Sequence, residues 1–169
     1  MRGDLHTLKR VCSYASIVMF IGEIAFVILA IAMIALGVLS FSDDGIRSTF
    51  SDLIKCKESD LSLIAGALEM ALAFAAMFIT VKMIHDIMVS IQKEHSPFME
   101  DTQKGFKLVC MTFLVSSVPL AILEYLCRED IILSICVLLL CILISVVMYC
   151  LTIIFRYGHL LQDESDHTL

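Results

Sequence analysis

Leu61 to Val81, LSLIAGALEMALAFAAMFITV, is an apolar run interrupted by a single charge, Glu69. Crossing a bilayer takes roughly 20 apolar residues of helix at ~1.5 Å each. Backbone groups in hydrocarbon find no water, so each must pair within its own segment, and such a run has to be helical. The same constraint applies to spans at about 15–41, 108–126 and 131–155. Short connections set neighbouring spans antiparallel. The expected fold is all-α and integral to a membrane. It is one domain over 1–169, an antiparallel bundle of four transmembrane helices with helical extensions into the cytoplasm.

Composition enters as exclusion. Hydrophobic residues make up 59% of the chain, against about half in a soluble domain. The first run exceeds the apolar segment of a cleaved secretion signal, and no small-x-small site follows it, so it reads as a retained anchor. A net charge of -6 leaves no basic face for nucleic acid. There is no G-x-S-x-G, no H-E-x-x-H and no glycine-rich phosphate loop. The seven cysteines contain no C-x-x-C and no zinc spacing. The expectation is a non-enzymatic protein with no cofactor and no metal, whose first partner is the lipid bilayer.

Lysine and arginine set the orientation. Arg2, Lys9, Arg10, Lys82, Lys93, Lys104, Lys107 and Arg156 fall on one side, and Arg47, Lys55, Lys57 and Arg128 on the other. The positive-inside rule places both termini in the cytoplasm. In the outer loop, Ile46, Phe50, Leu53 and Ile54 recur at helical spacing, as in a small amphipathic helix. Ser59 or Asp60, and Asp130, are placed to cap the second and fourth spans. The second span continues as KMIHDIMVSIQKEH with one apolar stripe, so a helix from Asp60 to His95, the longest of the chain, is expected. Ser96-Pro97 then starts a new helix. The hairpin 82–107 and the tail 156–169 would form a cytoplasmic platform; the alternative is that they lie flat on the lipid surface. Pro119 should kink the third span, and the hydroxyls of Thr112, Ser116 and Ser117 share its polar side.

The ending FRYGHLLQDESDHTL and the Ser96-Pro97-Phe98 turn, followed by a Lys-containing helix, resemble a bacterial family of small four-span membrane proteins, domain of unknown function 2975. The resemblance implies a bacterial inner membrane and a regulatory role, because family members are often encoded beside a Cro/C1-type helix-turn-helix regulator. Such a regulator or another membrane protein is the implied partner. The family has no established catalytic residues to carry over. Pro97, Phe98, Tyr157, Gly158 and Gln162 are the docking candidates that go with it.

Charged groups inside spans are costly, at least about 2.5 kcal/mol for an ionised acid at mid-membrane, and are functional candidates. Glu23 and Glu69 are expected at similar depth, facing the bundle interior. Glu124 is expected near interfacial water at the outer end of its span. No Lys or Arg lies deep in a span to pair with them. Glu23 and Glu69 are either a proton or cation site or two protonated hydrogen-bond clips between helices, and Glu124 is a further ligand candidate. Cys56 and Cys127 fall on the same outer side, where a disulfide would tie loop to turn. His85-Asp86 reads as a solvated helix face rather than a metal pair. Two functions remain open: a regulatory or interaction protein working through its platform, and a small proton- or ion-coupled transporter or channel, as a homo-oligomer, using the intramembrane glutamates.

Overall fold

The computed structural model describes residues 2–57, 59–92 and 100–167, with side chains over 10–57, 59–92 and 101–164. Five helices account for it: α1 (Arg2–Leu39), α2 (Asp44–Ile54), α3 (Asp60–Gln92), α4 (Glu100–Arg128) and α5 (Ile131–His167). Four of them are long and apolar enough to cross a membrane, over Arg10–Leu39, Asp60–Gln92, Asp101–Arg128 and Ile131–Glu164. The helices overrun the apolar segments at most ends. Among the described residues α3, with 33, is shorter than α1 with 38 and α5 with 37, which corrects its expected rank. The Pro97–Phe98 turn lies outside the described residues.

Local chemistry sets the boundaries. Asp43 caps α2 by accepting from the Gly45 N–H at 2.8 Å. Ser59 caps α3 through the Ser62 N–H. Asp130 caps α5 by accepting from Ile132 and Leu133. Each cap satisfies a donor that the helix itself leaves open. Lys55 and Glu129 end α2 and α4 in the left-handed region, at φ 53° and 55°. α4 runs on through Pro119. The hydroxyls near it bond the carbonyls of Leu108, Thr112 and Leu114 rather than the Val115 carbonyl that the proline leaves without a donor.

The spans pack in the order α1, α3, α4, α5, and among the described residues no Cα of α1 lies within 8 Å of one in α4 or α5, nor any of α3 within 8 Å of α5. Gly22 faces Val81, Gly37 faces Ala67, and Gln92 donates to the Cys12 carbonyl at 2.9 Å, so the start of α1 lies against the end of α3. Ser62 bonds the Leu126 carbonyl; Ser134 bonds that of Ala121 and Ser145 that of Cys110. The first two of these again pair an early residue of one helix with a late residue of its neighbour. Two apolar clusters result. One joins α1 to α4 at the loop end through Met33, Phe50, Ile54, Leu63, Ala67 and Cys127. The other is built on Met83, Phe106, Val109, Phe113 and Cys141 nearer the opposite end.

The outer flanks of the row are apolar and uncovered. Ile17, Val18, Ile21 and Ile28 of α1 and Ile132, Leu139 and Leu143 of α5 are all exposed. In water such faces would be sticky patches; against lipid tails their exposure costs nothing.

Close approach of α1 to α3 depends on Gly37. A Cβ there would sit 2.6 Å from the Ala67 Cβ, whereas one on Gly22 would rest 3.5 Å from Val81. Gly37→Ala is expected to destabilise the protein by ~1–3 kcal/mol through overpacking. Gly22→Ala is expected to be neutral or to stabilise by up to ~1 kcal/mol through helix propensity. Thermal unfolding of both variants in detergent checks the contrast.

Candidate functional site: two carboxylates sharing one guanidinium

Arg128 is the last residue of α4, and Glu124 precedes it by one helical turn. Residues four apart share a helix face, so Arg128 folds back and its Nη1 donates to Glu124 Oε2. The same nitrogen lies 3.6 Å from Oε1 of Glu69, across the interface on α3. The other nitrogen, Nη2, donates to the Ile54 carbonyl at 3.1 Å. That carbonyl belongs to the final turn of α2, where helical carbonyls have no internal partner and the dipole is negative. One cation therefore binds two acids and closes the end of a third helix.

Burial makes the arrangement consequential. Glu124 is 1% exposed and Glu69 9%. Glu69 Oε2 and Glu124 Oε1 are buried with no hydrogen-bond partner. Two ionised carboxylates and one guanidinium leave a net charge of about −1 in low dielectric, and the cluster can relieve it by holding a proton or a small cation. It lies about 13 Å along α3 from Asp60, at ~1.5 Å per residue. Ile54 of α2 seats over it because Gly66 is bare: a Cβ there would meet Ile54 Cδ1 at 2.5 Å and Cys127 Sγ at 3.0 Å. Arg47–Asp60 and Lys57–Glu129 ion pairs hold the rim.

The acids are paired differently from expectation. Glu23 does not share a depth with Glu69. The register of α1 on α3 puts it about three helical turns away, ~16 Å along the axis. There Glu23 Oε1 lies 2.6 Å from His85 Nδ1, with side chains 14% and 20% exposed, and the Phe20 ring flanks the imidazole. His85 is thus no solvated face residue; it joins α3 to α1. Glu124 is buried instead of reaching interfacial water, and the acids do have a cation, Arg128. The Glu124–Arg128 pair was readable as an i, i+4 spacing on one helix. The Glu69 and His85 contacts needed the helix rotations, which spacing along one helix does not carry.

Cys127 is fully buried beside Gly66, and Cys56 packs against the same cluster. Both thiols are free, so the tie between loop and turn is ionic, through Lys57–Glu129 and Arg128. Tyr157 is exposed on α5, Gln162 is exposed one turn beyond, and Gly158 is half-buried. Pro97 and Phe98 lie outside the described residues. Among the described residues no group of three His, Cys, Asp or Glu side chains could hold a metal ion. No family model, curated protein or solved structure matches this chain.

Arg128→Ala strands two buried acids and is expected to cost about 3 kcal/mol. Combining it with Glu124→Gln is expected to recover more than a third of that loss, since the amide needs no counter-charge. Melting temperatures of the single and double variants in detergent check the recovery.

Proposed function

We propose that the chain is a non-enzymatic regulatory or interaction protein of a bacterial inner membrane, its four spans antiparallel and its termini and helical extensions cytoplasmic. The Glu69–Glu124–Arg128 cluster serves as its switch. The observation that carries this reading is the Arg128 guanidinium, shared between two buried acids and the closing carbonyl of α2. Taking up a proton or a small cation at the unpartnered oxygens weakens the hold of the acids on Arg128. Arg128 then loosens from α2, and the cap changes position. α3 runs unbroken from Glu69 to Gln92 and ties to α1 at both Glu23–His85 and Gln92–Cys12. A change at the outer cap thus has a continuous rod along which to reach the cytoplasmic end. The resemblance to the family with neighbouring helix-turn-helix regulators suggests the kind of partner docked there, with Pro97, Phe98, Tyr157, Gly158 and Gln162 as contact candidates.

A proton- or ion-coupled transporter or channel, assembled as a homo-oligomer, is the second reading. The two unpartnered carboxylate oxygens favour it.

Labelling separates the readings. In a variant keeping Cys56 as its single cysteine, a membrane-impermeant maleimide is expected to react in intact cells, and Glu124→Gln is expected to raise the rate several-fold. Labelling only after permeabilisation would reverse the orientation; an unchanged rate would remove the switch. Proton or cation flux in liposomes that disappears with Glu69→Gln would install the transporter reading instead.

A further inference from the structure

A cavity of about 460 Å³ opens between α4 and α5 at the end of the row away from α2, and no part of the mechanism above uses it. Its mouth carries Lys104, Lys107 and Arg156. Lys104 and Lys107 lie on the turns of α4 just before its apolar stretch, and Arg156 follows the apolar stretch of α5. The Phe106 and Phe155 rings, with centroids 4.8 Å apart, clamp the two helices at that level. Thr152 and Tyr149 add polar groups at the wall, and Met111 continues it one turn deeper. Lys104 is also 3.8 Å from Asp101, an exposed pair in which both side chains stay largely in solvent.

We propose that this cavity binds the headgroup of an anionic phospholipid of the surrounding bilayer. Three cations converge where the apolar stretches begin, the depth of lipid phosphates. Below them Cys110, Met111 and Ile153 line the groove beside Thr152 and Tyr149, a largely apolar wall that suits an acyl chain better than a soluble anion. Basic pockets between spans on the cytoplasmic side suit this class of ligand, and the positive-inside orientation puts the pocket there. The site adds a lipid input at the base of α4, the helix that carries Glu124 and Arg128 at its other end.

The proposal rests on the helices crossing a bilayer, which alkaline extraction of cell membranes tests by itself: the chain stays in the pellet, and its release would refute the membrane reading. The lipid test uses native mass spectrometry of the full-length chain in detergent, with phosphatidylglycerol, phosphatidylcholine and inorganic phosphate as probes. Phosphatidylglycerol is expected to bind in preference to phosphatidylcholine. Lys104→Gln/Lys107→Gln/Arg156→Gln is expected to weaken it more than about tenfold. Lys104→Arg/Lys107→Arg, and Lys55→Gln at the opposite end, are expected to leave it unchanged. Equal binding of the two lipids, or full binding by the triple variant with native helix content, would overturn the assignment. Inorganic phosphate bound as tightly as phosphatidylglycerol would overturn it in favour of a free anion.

Discussion

The guanidinium of Arg128 holds together groups that otherwise have no reason to meet. Two buried acids on neighbouring helices repel, and a helix end presenting bare carbonyls avoids hydrocarbon. A single cation at the junction converts both liabilities into contacts. Its position as the final residue of α4 is what allows this. The left-handed turn at Glu129 stops the helix there, and the side chain can fold back toward Glu124 and forward to Ile54. Gly66 then lets α2 come down onto α3 over the charge. The loop end of the row is therefore ordered by charge and by one missing methyl, whereas its middle is ordered by apolar packing.

The two ends of α3 are built on different chemistry. Near α2 the acids share an arginine, which keeps its charge under all physiological conditions. At Glu23 the partner is a histidine, His85, set against the Phe20 ring. Both pairs are partly or wholly withdrawn from water. The molecule thus carries two clasps of different chemistry on the same rod.

How much of this was legible beforehand follows from which periodicities a sequence carries. Length and apolarity of four runs made the helices readable, and Ser59 and Asp130 cap where capping chemistry places them. The small helix α2 announced itself through Ile46, Phe50 and Ile54. The acids were visible as anomalies, but of their partners only Arg128, one turn from Glu124 on the same helix, was readable. Glu23 and Glu69 looked equivalent because both interrupt apolar runs in neighbouring spans that were expected to run in opposite directions. Their separation depends on the register of α1 against α3, set by Gly22 on Val81 and Gly37 on Ala67, which no single-helix pattern encodes. Arg128 was misplaced because it was counted as a loop residue, although its side chain points back into the span. A long side chain at a helix end belongs to the turn before it.

The contact order of the four spans has a mechanical corollary. Among the described residues the backbones of the first and last spans stay apart, so the spans pack as an open row rather than a closed ring. Such a row can flex along each seam separately, and its two long edges stay available at once, so whatever borders one edge need not displace what borders the other.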